Sequence, residues 1–154
     1  FHGPRHWELN KELWFFSAVA YDYKDHWKNL GVKIISPRSI PDNQFKIKIV
    51  VPKKYHTDLA SIHRAAWSFI APWDVARAAV IHDILYEALR TNKEALHSNT
   101  IIELRKNADN IMLEGMRAAE PKVPGTKIST VYWMLRLLGG MALKNSSYRE
   151  RHGW

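Results

Sequence analysis

The sequence predicts an α+β fold in which N-terminal antiparallel β-strands and hairpins precede a C-terminal bundle of about three helices. Two observations carry this prediction. Residues 45–51 alternate apolar and lysine positions at the period of a half-exposed strand. Residues 100–119 and 128–143 instead repeat apolar side chains every three or four positions, as amphipathic helices do.

The N-terminal part of the chain contains three candidate strands. Residues 12–23 are rich in aromatic and β-branched side chains and predict a strand, with a helix as the competing prediction. We expect a turn at 25–31 and a short strand at 32–35. The third strand, which begins at Phe45, is closed by Pro52.

Length and composition narrow the classes of protein. A chain of 154 residues can bury one core, and no repeat or long linker divides it, so we expect a single domain, 1–154. Its arm (about 1–10) and tail (about 145–154) are expected to be peripheral. Cysteine is absent, which excludes disulfides, thiolate zinc sites and cysteine nucleophiles.

The charge favours a polyanionic neighbour. The net charge of +8 suits nucleic acid, an anionic membrane face or an acidic protein. The basic residues are scattered and form no nucleic-acid-binding motif, which leaves nucleic acid the weaker choice. No apolar run is long enough for a transmembrane segment, so we expect a soluble protein.

Residues 73–90, which follow Pro72, predict a buried helix around which the rest of the chain is organised. His82 and Asp83 interrupt its apolar stripe. A titratable pair in an apolar helix costs free energy unless it is hydrogen-bonded, ion-paired or bound to metal, so we expect other side chains to converge on it. The stripe consists of Ala76, Ala79, Val80, Ile84 and Leu85.

The next helix offers a partner for this pair. Asp109 lies beside the apolar stripe of residues 100–119, and Tyr86 follows His82 by one helical turn. A histidine held by a carboxylate has a fixed tautomer and can deprotonate water. Because neighbouring helix residues diverge by about 100°, His82 and Asp83 are expected to face different partners, one an orienting carboxylate and the other a metal or a loop.

The segment before the central helix is predicted to be a polar loop at 55–64 and a short helical turn at 65–70. Thr57, Asp58 and Ser61 can all bond backbone amides and cap a helix. For Ser61 we prefer capping to a chemical role.

Three separated runs resemble a phage-encoded family of unknown function. Its pattern is T-D-x-A-S-x-P-R, then H-D-x-L-Y, then A-D, and the match spans roughly residues 45–140. His63 replaces the proline of the pattern. The resemblance implies a small bacteriophage or prophage protein and no established activity. The runs are Thr57-Asp-Leu-Ala-Ser61, His82-Asp-Ile-Leu-Tyr86 and Ala108-Asp109.

A more distant resemblance supplies a mechanism. H-D-x-x-Y on one helix, with an aspartate on the next antiparallel helix, is similar to the core of the phospholipases A-two, including the bacterial and parvoviral-capsid forms. The resemblance implies that His82 is the general base, that Asp109 orients it and that the Tyr86 hydroxyl bonds Asp109. It also implies that Asp83 binds calcium, which we expect in preference to zinc.

The loop departs from this second pattern. Those enzymes have a glycine-rich calcium loop before the helix, but residues 55–72 contain no glycine. Asp58 and loop carbonyls would have to replace it as metal ligands, with Thr57, Ser61 and Arg64 as supporting residues. The cysteines of most of those enzymes are absent as well.

Other interpretations of the same residues stay open. One alternative is a buried polar network, fully hydrogen-bonded, that specifies helix packing without catalysis. Its members would be His82, Asp83, Tyr86, Asp109, Thr57 and Asp58. A metal-dependent His-Asp phosphohydrolase would need a further histidine, from His56, His63 or His97, and the spacing does not match that family.

Two functional hypotheses follow. The first is a phage-type hydrolase with a His-Asp site that acts on a lipid or cell-envelope ester or amide. The second is a non-catalytic virion, tail or assembly protein that docks on a capsid, a tail or DNA through a basic, aromatic-rich surface. Both place the protein in the host cytoplasm during expression, and the second associates it with the virion.

Overall fold

The computed structural model describes residues 7–36, 45–57, 72–120 and 122–144. Within these ranges, N-terminal antiparallel strands precede helices, which confirms the predicted α+β fold. The strands are β1 (Trp7–Glu8), β2 (Leu13–Ser17), β3 (Lys33–Ile35), β4 (Ile47–Val51) and β5 (His56–Thr57). The α-helices are α1 (Lys24–Asn29), α2 (Pro72–Asn92), α3 (Ser98–Arg117) and α4 (Gly125–Lys144).

The strands form two small antiparallel sheets. The order in the larger one is β2-β4-β3, so β4 lies in the centre. Ile47 and Ile49 of β4 are fully buried while Lys48 is partly exposed, which confirms the alternation read from the sequence. In the smaller sheet β1 pairs with β5, and Trp7 lies opposite Thr57.

The prediction of one strand over 12–23 was wrong in its length. The strand ends at Ser17, whose hydroxyl donates to Glu114 Oε1 (2.6 Å) and accepts from the Ala20 amide (2.9 Å). The bond from Ala20 turns the chain locally, the bond to Glu114 ties this turn to α3, and a 3-10 turn follows at Tyr21–Tyr23. A side chain that bonds nearby backbone competes in this way with strand pairing.

The turn predicted at 25–31 is mostly helix α1. Trp27 in this helix is fully buried, and its indole Nε1 donates to Asn107 Oδ1 at 2.9 Å. The short helix is therefore held by a tertiary contact to α3, which sequence periodicity does not reveal.

The polar loop predicted at 55–64 begins as strand β5, because His56 and Thr57 pair with the arm residues Trp7 and Glu8. The arm is thus tied to the fold at its end. The rest of that loop, the turn expected at 65–70 and the tail at 145–154 lie outside the described residues.

Helix α2 forms the centre of the core. It packs against α3, α4 and strands of the larger sheet. The expectation that His82 and Asp83 interrupt a single apolar stripe was wrong. Buried side chains lie on nearly every side of this helix. Ala76 and Ile84 of the predicted stripe are only partly buried, whereas Ile81 and Leu89 are buried. A helix that is apolar on all sides is typical of a core position.

Two glycines let the helices approach closely. A Cβ atom on Gly115 of α3 would lie 2.9 Å from Ala78 Cβ of α2, one turn before His82. A Cβ on Gly139 of α4 would lie 2.6 Å from the hydroxyl oxygen of Tyr86. Both distances are shorter than carbon and oxygen atoms tolerate, so side chains at these positions would push the three helices apart.

Gly139→Ala is therefore expected to destabilise the protein by about 1–3 kcal/mol, because the new methyl group displaces the Tyr86 hydroxyl. Gly140→Ala is the matched control, since within the described part of the chain no atom beyond the adjacent turns of α4 lies within 4 Å of the position that a Cβ would take there. The control is expected to stabilise the protein by up to about 1 kcal/mol through helix propensity. Urea unfolding measures both; equal effects of the two changes would contradict the close approach at Gly139.

Candidate functional site

The carboxylate of Asp109 is the centre of a buried polar cluster. Asp109 and His82 are both 0% exposed. His82 Nε2 lies 2.8 Å from Asp109 Oδ1, and the Tyr86 hydroxyl donates to the same oxygen at 2.6 Å. Arg136 Nη1 donates to Oδ2 at 2.7 Å. One carboxylate thus joins α2, α3 and α4.

Asp109 is ionised in this environment. Burial raises the pKa of its carboxyl group, but the hydrogen bond and charge of His82, together with the hydrogen bonds of Tyr86 and Arg136, outweigh burial and hold the pKa below its usual value. An ionised carboxylate only accepts hydrogen bonds. The proton of the His82–Asp109 bond therefore resides on Nε2, and in the neutral ring Nδ1 carries the lone pair.

Tyr86 remains a hydrogen-bond donor. Burial, followed by the negative charge of Asp109, raises the pKa of the Tyr86 hydroxyl far above its ordinary value. The ring also lies against the imidazole of His82, with 4.1 Å between the ring centroids. Tyr86 therefore fixes both the carboxylate and the plane of the histidine ring.

Asp83 points to a different partner, as the helix geometry predicts. Its Oδ2 accepts a hydrogen bond of 2.5 Å from Thr57 Oγ1, at the end of β5. One turn later, Glu87 Oε2 accepts from the Tyr55 hydroxyl at 2.6 Å. Helix α2 thus presents His82 to α3 and its acidic side chains to the β5 segment.

Arg136 is a site residue that the sequence analysis missed. It is the sole charged residue between positions 128 and 143, and an isolated arginine in an apolar helix is a usable signal of a buried anion. Arg105 of α3 supports it by donating to the backbone oxygens of Leu135 (3.0 Å) and Arg136 (2.7 Å). These bonds hold the α4 backbone against α3 beside Asp109.

The structure brings together some of the predicted site residues. His82, Tyr86 and Asp109 form one cluster, and Thr57 joins Asp83. Asp58, Ser61 and Arg64 lie outside the described residues, as does His63.

The other histidines considered for a phosphohydrolase site lie elsewhere. His56 Nε2 is 3.4 Å from Glu8 Oε2, and His97 precedes α3 on the surface. Among the residues that the structure describes, no three His, Cys, Asp or Glu side chains converge as metal ligands would.

The matching family model carries the description "Protein of unknown function (DUF1353)". It covers residues 33–134, about two thirds of the chain, including α2 and α3. The chain therefore belongs to the DUF1353 family, which confirms the prediction of a family of unknown function. No curated protein and no solved structure matches the chain.

The lowered pKa of Asp109 predicts how stability depends on pH. The ionised carboxylate of Asp109 contributes to the free energy of unfolding above pH 3.8, the pKa of the unfolded state. This contribution is lost as the pH falls from 3.8 through the lower pKa of the folded state. Asp109→Asn should therefore cost about 3 kcal/mol or more near neutral pH. The difference from wild type should shrink below pH 3.8.

Urea unfolding of both proteins across the acidic range measures this difference. Glu103→Gln, which removes an exposed carboxylate from the same helix, is the control and should cost little at any pH. A constant difference between Asp109→Asn and wild type down to the lowest pH would contradict the assignment.

Proposed function

We propose that this DUF1353 protein is a hydrolase of lipid or cell-envelope esters in which His82 is the general base and Asp109 orients it. The observation that carries the proposal is the 2.8 Å contact between His82 Nε2 and the ionised carboxylate of Asp109. Such a pair fixes the tautomer that leaves Nδ1 able to accept a proton. The same order of residues underlies the resemblance to the phospholipases A-two.

The proposed reaction needs water, the ester and the histidine. Nδ1 of His82 takes a proton from water while the water oxygen attacks the ester carbonyl. Asp109 stabilises the imidazolium that forms, because the charge lies beside its carboxylate. The tetrahedral intermediate then collapses, the carbon–oxygen bond to the alcohol breaks, and the imidazolium returns the proton to the leaving oxygen. The products are a carboxylic acid and an alcohol.

The burial of His82 sets a requirement for this reaction. The side chain is fully buried, so water and the ester group must reach Nδ1 through a movement that uncovers it. Closed active sites that open for substrate are common among enzymes. The proposal therefore includes an opening of the chain around His82.

Calcium at Asp83 is a separate part of the proposal. The described residues offer the Asp83 carboxylate and the Thr57 hydroxyl, whereas calcium takes six to eight oxygen ligands. These donors alone do not fit the ion, so the reaction above uses no metal step. A complete site would need Asp58 and carbonyl groups of the segment before α2.

The competing proposal is a non-catalytic phage virion, tail or assembly protein. It is favoured by the complete burial of the His82–Asp109 pair, which also suits a network that specifies helix packing. The phage origin itself belongs to both proposals and rests on the order of the three sequence runs.

Hydrolysis is tested with 4-nitrophenyl butyrate and with fatty-acid release from phosphatidylglycerol vesicles. His82→Gln should lower the rate by about a hundredfold or more, because it removes the base. Asp109→Asn should lower it similarly, at a temperature where urea unfolding shows that the destabilised variant is still folded, because asparagine favours the wrong tautomer.

His26→Gln, on the exposed surface of α1, is the control and should retain the wild-type rate. A wild-type protein that hydrolyses neither substrate, or a His82→Gln variant with full activity, would refute the hydrolase and leave the packing network.

Metal binding is tested by thermal unfolding with added calcium or zinc. Calcium is expected to raise the melting temperature of the wild type, and Asp83→Asn should lose this shift because it removes the anionic ligand. Asp22→Asn, on the surface, should keep it. If the wild type shows no shift, or if Asp83→Asn shifts as much as the wild type, calcium does not bind at Asp83.

A further inference from the structure

Helix α4 has an exposed apolar face opposite the face that it packs into the core. Its inner side chains Ile128, Val131 and Leu135 are buried. Three others, Trp133, Leu137 and Met141, are 61%, 78% and 47% exposed. They are spaced four residues apart and therefore lie along one side of the helix. We call these three residues the α4 stripe.

The charge of α4 complements an anionic surface. Residues 125–144 include Lys127, Arg136 and Lys144 but no aspartate or glutamate. Arg136 is ion-paired with Asp109, and the sequence places Lys127 and Lys144 near the two ends of the helix. The whole chain, this helix included, has a net charge of +8.

An apolar face with basic flanks is typical of helices that lie in the interface of a membrane. Tryptophan is the residue that prefers this depth, because its ring is apolar and its N–H is polar. Among the described residues, none of the helices combines the length and apolar character that a membrane crossing requires. Helix α4 would therefore lie on a bilayer and not across it.

The stripe by itself is too small for a stable protein interface. From Trp133 to Met141 the helix rises only about 12 Å. Three side chains over that length fall short of the roughly 800 Å² per partner that a standard protein interface buries. A lipid surface has no such minimum, because each apolar side chain inserts separately.

We propose that the α4 stripe docks the protein on an anionic lipid surface. Leu137 directly follows Arg136, whose guanidinium binds Asp109, so docking places the His82 cluster one helix away from the lipid. The proposal names the site at which the hydrolase would meet a lipid ester and rests on the proposed function for that substrate. Lipid binding itself requires no turnover.

The test is co-sedimentation of the full chain with vesicles. Wild type should bind vesicles of phosphatidylcholine and phosphatidylglycerol and bind pure phosphatidylcholine much more weakly. Leu137→Glu should weaken binding to the anionic vesicles by about tenfold or more, because it replaces an inserted leucine with a like-charged group. Phe45→Glu, at a residue that is 64% exposed before β4, is the matched control and should bind within about twofold of wild type.

Because co-sedimentation measures binding without turnover, a wild type that binds anionic vesicles but hydrolyses no ester separates a failed hydrolase from a failed docking surface. The proposal is overturned if wild type does not bind anionic vesicles, or if Leu137→Glu binds them equally well. It is also overturned if Phe45→Glu loses as much binding, or if the change at Leu137 only dissociates a dimer in sedimentation velocity.

Discussion

The buried carboxylate of Asp109 is the interaction on which the helical part of the structure depends. It accepts hydrogen bonds from His82 and Tyr86 of α2 and from Arg136 of α4, while its own backbone belongs to α3. Removing one partner from a buried ionic group costs several kcal/mol, because the other charge is left uncompensated. The packing of the three long helices and the chemistry of His82 are therefore coupled through one side chain.

This coupling explains the small residues around the cluster. Gly115 lets α3 approach α2 at Ala78, and Gly139 makes room on α4 for the Tyr86 hydroxyl. Hydrogen bonds of 2.6–2.8 Å around one carboxylate require backbones that lie close together. The two faces of α2 have different contacts. His82 is hydrogen-bonded to Asp109 of α3, whereas Asp83 contacts the end of β5.

Much of the fold and of the site could be predicted from local patterns. Alternation located β4, and periodicity located the three long helices within a few residues. The divergence of adjacent helix positions placed His82 and Asp83 on different faces. The extent of β2 and the formation of α1 could not be predicted, because Glu114 and Asn107, distant in sequence, bond the chain there.

The site residue Arg136 was missed for a similar reason. Its role depends on how α4 crosses α3, and helix periodicity does not give crossing geometry. The exposure of Trp133 and Leu137 on α4 could not be predicted either, because tryptophan and leucine at helical spacing are usual in a core. The predicted roles of Asp58, Ser61 and Arg64 stay predictions.

The most direct test of the coupling between Asp109 and His82 is the tautomer of His82, measured by ¹⁵N NMR of the imidazole nitrogens at neutral pH. We predict a proton on Nε2 and a lone pair on Nδ1 in the wild type, and loss of this preference in Asp109→Asn. A neutral ring protonated on Nδ1, or a tautomer that does not respond to the Asp109 change, would contradict this coupling.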